Sequence, residues 1–455
     1  MNNQNILFHS TNYNTPEVDL KTAIFRGQAL DYGLYMLNDI PVLDESIIYS
    51  FKDLQFKDIA IKILTPIIGK SIPIVTLKTI IQKALNFKVP IELIGNNNYI
   101  CYLDGGPTCS FKDFGARTLA NIMGYFLAKE NKNIVILTAT SGDTGGAVAQ
   151  AFYKMNNIKV VILYPRNEVS ELQRKQMTTL GKNIIAIGIN GKFDDCQRMV
   201  KKAFADDNLY SLNLTSANSI NFGRLLPQVL YYFWSYSRII ESKKERILFS
   251  VPSGNFGNLV GGLIAFKMGL PVLKFIAAVN ENDEFPRFLD TRKYEKVVPS
   301  KNCISNAMNV GHPSNLARLI DLYNGQIDEN GNLIRQPQME MMKQNIISYS
   351  INDELTKKTI IELYKSYEKI IEPHGAVGWA ALNLYRAQFP EQKTIKAVCF
   401  ETANPAKFPK EIISLINVIP KVPASLKLIQ KKKEFKNSIE ISNYQDFKNF
   451  LQKNF

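Results

Sequence analysis

Histidine, tryptophan and cysteine are scarce in this 455-residue chain, which has three His, two Trp and five Cys. His9, His312 and His374 share no ligand spacing, and no cysteine cluster stands beside them, so no metal is expected. Cys101, Cys109, Cys196, Cys303 and Cys399 are odd in number and form no CxxC pair. That excludes a disulfide scaffold and fits a reducing compartment. Long apolar runs are missing too. The best candidate, residues 259–279, is broken by Lys267, Pro271 and Lys274, which excludes a membrane span. The opening MNNQNILFHS lacks the layout of a secretory signal, so the expected location is cytoplasmic. No GxSxG, GxxxxGK or GxGxxG pattern occurs, leaving a nucleophile-elbow hydrolase, a P-loop and a dinucleotide fold without support.

Acidic residues are outnumbered, 41 against 55 Lys and Arg, for a net charge of +14. Eight Lys after Pro420, against Glu434, Glu440 and Asp446, supply five of those charges. A nucleic acid or an acidic membrane could meet such a tail, but no nucleic-acid motif accompanies it. A solvated Lys-rich surface is the plainer reading, and neither nucleic acid nor membrane is expected as a partner.

Hydrophobic residues make up 45% of the chain, enough for a sizeable core in two or three domains. Short β-branched runs at 134–137, 159–164, 184–189, 246–251 and 397–400 read as strands. Between them Val148, Phe152 and Met155, and later Leu259, Leu263 and Phe266, recur at helical spacing. That alternation predicts an α/β fold with parallel sheets between helices. The first hundred residues are mostly helical in pattern.

Two loops lie between a strand and a helix: Thr140-Ser141-Gly142-Asp143-Thr144-Gly145-Gly146 and Ser253-Gly254-Asn255-Phe256-Gly257-Asn258. Free N–H groups at a helix start favour an anion there, and glycine lets the backbone approach closely. An ordinary tight turn is the alternative for either loop. Lys112 stands between Phe111 and Phe114, where desolvation would free its amine. The alternative is a surface lysine lying over apolar neighbours. Residues 215–224, TSANSINFGR, place hydroxyl and amide donors before an Arg near a helix start. They suit a phosphate, or else form a helix cap with a surface Arg.

Taken in order, GGPTCSFKDFG (105–115), TSGDTGG (140–146), SELQRKQM (170–177), TSANSINFGR (215–224), SGNFGN (253–258), SNAMNVGHPSN (305–315), EPHGAVG (372–378) and ETANPAKF (401–408) carry a resemblance. The chain resembles the threonine synthase family, of the shorter microbial type, among fold-type II enzymes of pyridoxal 5′-phosphate (PLP). The resemblance implies a tryptophan synthase β-like fold, with two parallel-type open sheets flanked by helices and the cofactor between domains. It implies a mostly helical segment at 1–95, a smaller α/β domain at 96–235, a larger one at 236–420 and a basic tail at 421–455.

By the same resemblance Lys112 forms the Schiff base with PLP, and Gly254, Asn255, Phe256, Gly257 and Asn258 cradle the cofactor phosphate. Thr402 faces the pyridine nitrogen. Ser141, Gly142, Asp143 and Thr144 hold the substrate carboxylate, with Asp143 also near the cofactor's ring oxygen. Asn218, Ser219 and Arg224 bind the phosphate of O-phospho-L-homoserine. The implied reaction is γ-elimination followed by β-hydration, giving L-threonine and phosphate, by a monomer or homodimer. A PLP-dependent β-lyase or dehydratase on a related amino acid is the alternative. Asn404 stands where the family frequently has His.

Overall fold

The computed structural model describes residues 6–130, 132–140, 142–435, 439–441 and 443–455. Two sheets organise them. The larger has six strands in the order Ile346–Ser350, Val272–Val279, Ile247–Pro252, Ala397–Glu401, Asn98–Tyr102 and Ile91–Gly95. The smaller has five, in the order Ile439–Ile441, Ile184–Ile189, Ile158–Pro165, Ile134–Ala139 and Leu214–Ser216. Every neighbouring pair is parallel except the hairpin of Ile91–Gly95 with Asn98–Tyr102. The larger sheet is therefore mixed at one edge.

Near-continuous apolar strands suit sheets covered on both faces. Alternation along each strand sorts its residues between two cores. Ile247, Phe249 and Val251 enter the main core with Leu259 and Tyr232. Leu248 enters a second core with Ala397, Cys399 and Trp379. In the smaller sheet Ile134, Ile136, Val160 and Ile162 join the main core, while Val135, Leu137, Val161 and Leu163 join a third.

The apolar stretch at 259–279 divides into the helix Gly257–Lys267 and the strand Val272–Val279, with Pro271 between them. Among the described residues no helix is long and apolar enough to cross a membrane.

Two departures from the sequence division stand out. Residues 98–102 pair with Ala397–Glu401 in the larger sheet, although they precede the lysine segment. The tail returns to the smaller sheet, where Ile439–Ile441 adds an edge strand and the helix Tyr444–Asn454 buries Phe447 and Leu451 against Met199 and Val200. Lys448 of that helix pairs with Asp206 at 2.9 Å. The tail thus completes a core, which its charge alone concealed.

Strand order brings the carboxyl ends of both sheets to one cleft, the usual place for ligands in such folds. The turns after Ala139, Ser216, Pro252 and Glu401 all open into it.

Candidate active site

A backbone clasp assembles the centre. Phe111 N donates to Thr402 O at 2.8 Å and Asn404 N donates to Cys109 O at 3.0 Å. The lysine segment therefore runs antiparallel to the segment after Ala397–Glu401, with Ser110 bridged to Ala403. Lys112 then opens the helix Lys112–Glu130, and both Lys112 and Thr402 line a cavity of about 320 Å³. That volume suits a small organic ligand.

Lys112 is not a surface lysine. Its side chain is 15% exposed, and Nζ lies 4.7 Å from the centroid of the Phe111 ring. Phe114 turns instead into an aromatic cluster with Phe56, Phe87 and Tyr231. Burial pushes the Lys112 ammonium down to about 8; Asp143 opposes this, while Lys407 and Arg224 add to it. About half of the side chain is therefore free amine near pH 8, far more than for an exposed lysine.

The turn at 254–258 is held by its side chains and leaves its backbone free. Asn258 donates to Pro252 O at 2.7 Å, and Asn255 Oδ1 accepts from Ser314 N at 2.6 Å. Phe256 sits in the left-handed region at φ 57°, with its ring against Phe285. The helix Gly257–Lys267 has no side-chain cap. Among the described residues no N–H from Gly254 to Asn258 finds an acceptor. A Cβ at Gly257 would enter this cradle, 3.4–3.7 Å from Gln228, Asn315 and Ser219. Converging free N–H groups at a helix start fit a phosphate, and with the buried Lys112 amine they fit PLP.

Adjoining this cradle are residues 218–224. Arg224 is 4% exposed; Nη1 donates to Ala217 O at 2.6 Å and Nε has no partner. Burial pushes its guanidinium down to about 10. The surface-Arg reading is therefore overturned. A buried guanidinium without a carboxylate is costly, and an anion at this wall would offset that cost. Ser219 Oγ accepts from Asn255 at 2.7 Å and from Asn315 at 3.2 Å, so its own proton is left to donate. Asn218 donates to Ala139 O at 3.1 Å, and its Oδ1 is buried without a partner.

Gly142 adopts φ 142°, open to glycine, and a Cβ there would meet the Gln173 amide at 2.6 Å. Thr140 Oγ1 accepts the N–H groups of Gly142 and Gly145 at 2.9 and 2.8 Å, which folds the turn tightly. Thr144 lines the cavity. Ser141 lies outside the described residues. Asp143 is buried, with Oδ2 3.9 Å from Lys112 Nζ and Oδ1 2.5 Å from Lys407 Nζ.

Thr402 Oγ1 donates to Glu372 Oε1 at 3.2 Å. Glu372 caps the helix Pro373–Gln388, accepting from His374 N and Gly375 N, and pairs with His374 Nδ1. His374 Nε2 accepts from Ala307 N at 3.0 Å, which places the ring proton on Nδ1.

Sequence reasoning overlooked Arg318 and Lys407. Arg318 is fully buried and donates to the carbonyls of Tyr35, Ser219 and Ile220 at 2.9, 3.0 and 2.6 Å, and to Asn315 Oδ1. It fixes the 218–221 turn from behind. Lys407 had a signal, a lysine inside the apolar turn Pro-Ala-Lys-Phe. Arg318 follows the SNAMNVGHPSN motif with no local mark of its own.

The profile described as "Pyridoxal-phosphate dependent enzyme" matches residues 78–400. "Threonine synthase N terminus" matches 7–85 and "Threonine synthase, C-terminal" matches 375–451. The threonine synthase of Buchnera aphidicola subsp. Baizongia pistaciae is 39% identical over 417 residues, covering 90% of this chain and 91% of its own. The chain belongs to the threonine synthase family. The crystal structure of threonine synthase from Escherichia coli superposes with a TM-score of 0.88 at 33% identity, over 99% of this chain and 100% of that one. PLP-bound threonine synthase from Brucella melitensis gives 0.90 at 30% identity, over 98% and 99%. The cofactor of this family member is accordingly PLP, and its fold is the α/β fold of the PLP-dependent enzymes.

Proposed function

We propose that this family member converts O-phospho-L-homoserine and water to L-threonine and phosphate. The observation that carries the substrate is Arg224, a buried guanidinium that lines Lys112's cavity and whose Nε has no partner. An unphosphorylated amino acid would give it no partner.

Lys112 would hold PLP, and the free N–H groups of 254–258 would hold its phosphate. When bound, PLP supplies electron withdrawal from the substrate carbons. Lys112 would take the proton from Cα and carry the proton at Cβ, and its lowered basicity suits both transfers. Holding it beside both carbons makes those transfers effectively intramolecular.

Arg224, Ser219 and Asn218 grip the substrate phosphate and receive it as it leaves Cγ. Gly142 and Thr144, with Ser141, orient the substrate carboxylate. Asp143, itself anionic and tied to lysine, serves the cofactor side of that turn. Thr402 would face the cofactor ring, with its hydroxyl donating to Glu372. Five unpaired buried cysteines fit work in the cytoplasm.

The test is incubation of the purified protein with PLP and O-phospho-L-homoserine, assaying free phosphate and threonine together. Equal amounts are expected. Phosphate accompanied by keto acid instead of threonine would make the protein the alternative lyase.

A further inference from the structure

Lys407 has no role in the reaction described so far, yet its side chain is 0% exposed and meets the same carboxylate as the reacting amine. It lies in the Pro405–Lys407 turn just after Thr402. Its Nζ is 2.5 Å from Asp143 Oδ1 and donates to Thr108 O at 3.1 Å. Gln173 Nε2 donates to the same Asp143 oxygen at 3.1 Å. The other oxygen, Oδ2, stays 3.9 Å from Lys112 Nζ, beyond hydrogen-bond length. One buried carboxylate is thus divided unequally between two lysines.

We propose that Lys407 is a positioning residue whose ammonium holds the Asp143 carboxylate off Lys112, so that Lys112 keeps a free amine. The proposal rests on Lys112 being the cofactor lysine. A carboxylate in a poorly solvated site draws in whichever cation can reach it. With Lys407 neutral, Lys112 would be the nearest cation to Asp143. It would then be held as an ammonium, which can neither condense with an aldehyde nor accept a proton.

The charges facing Lys112 come from four elements. Asp143 on the helix Asp143–Phe152 and Glu372 at the cap of Pro373–Gln388 attract a proton to it. Arg224 on Phe222–Leu225 and Lys407 repel one. Removing the Lys407 charge ends a repulsion and releases Asp143, and both changes favour the ammonium.

Condensation of the unprotonated amine with the PLP aldehyde forms an imine and releases water, so its rate counts free amine. Full-length protein is stripped of PLP, and the rate at which added PLP becomes fixed to Lys112 by borohydride is followed against pH. In the parent the rate should climb with a midpoint near about 8. Lys407→Met should move that midpoint upward by about one unit, roughly tenfold slower fixation at neutral pH, with the same plateau in base. Lys407→Arg keeps the charge and should track the parent.

A purely structural role would lower the plateau and leave the midpoint alone. A Lys407→Met profile that superimposes on the parent, or shifts down, overturns the proposal. If Lys407→Met does not fold by circular dichroism, Lys407→Gln, which keeps a donor for Thr108 O without the charge, decides. Its midpoint should rise above the parent's, and an unmoved or lowered one sinks the idea. Failure of borohydride to fix PLP to Lys112 in the parent would instead defeat the cofactor assignment itself.

Discussion

Residues 254–258 and residues 218–224 face the same cavity and suit an anion by different means. The first turn brings no charged side chain; it offers a run of backbone N–H groups at a helix start. The second brings a buried guanidinium, a hydroxyl and an amide. A backbone cradle is fixed in shape and suits a group that stays bound. A guanidinium on a side chain can follow a group that must leave, and its charge grows in value as the leaving phosphate gains charge. The two sites are joined, because Asn255 of the first donates to Ser219 of the second at 2.7 Å.

The strongest test of this division is Lys112→Ala, which removes the amine that shares their cavity. Activity should fall by at least about a thousandfold. PLP should still be retained through the cradle, without a borohydride-stable link, as absorbance after dialysis would report. Loss of all PLP binding would mean that the cradle holds little by itself.

Next comes Arg318→Met. It strands the Ser219 and Ile220 carbonyls behind the side-chain site, and should lower folding stability by about 3 kcal/mol in urea unfolding. The same variant should weaken substrate use more than PLP retention, because Arg318 braces one site and not the other.

Arg224→Ala should cut kcat/KM for O-phospho-L-homoserine about ten- to a hundredfold, since charge-assisted hydrogen bonds contribute about 1.5–3 kcal/mol. PLP occupancy should not change. Collapse of occupancy with substrate use preserved would exchange the two sites.

The smallest effect belongs to Ser219→Ala. It removes one donated hydrogen bond and the acceptor shared by Asn255 and Asn315, and should cost about fivefold in kcat/KM. A small loss of PLP affinity should accompany it, measured by equilibrium dialysis, because the joint between the sites is cut. An effect on PLP alone would place Ser219 with the cradle.

How far each site could be read in advance follows from how it is built. The cradle is marked by glycines visible in the sequence, although the close approach that requires Gly254 is to the backbone of Ala307 and Met308, far along the chain. The side-chain site was legible only as an ambiguity between a phosphate and a helix cap. Burial resolved it, and burial depends on what packs over Arg224. Strands at 134–139, 158–165, 184–189, 247–252 and 397–401 were legible from their β-branched runs. The strand Val272–Val279 was hidden, since its apolar residues follow the helix Gly257–Lys267 almost without a break.

The sequence by itself determined the alternation of strands and helices, the two glycine turns, the lysine between aromatics and the family. Each of these is a local requirement of backbone geometry or a motif with its spacing. Only the tertiary structure decided that Thr402 lies beside Phe111, that Arg318 braces the 218–221 turn, that Lys407 grips Asp143, and that the basic tail completes the smaller sheet. Those contacts join segments far apart in the chain. Their energy comes from burial and from charges brought together by the fold, and neither leaves a periodic trace in the order of residues.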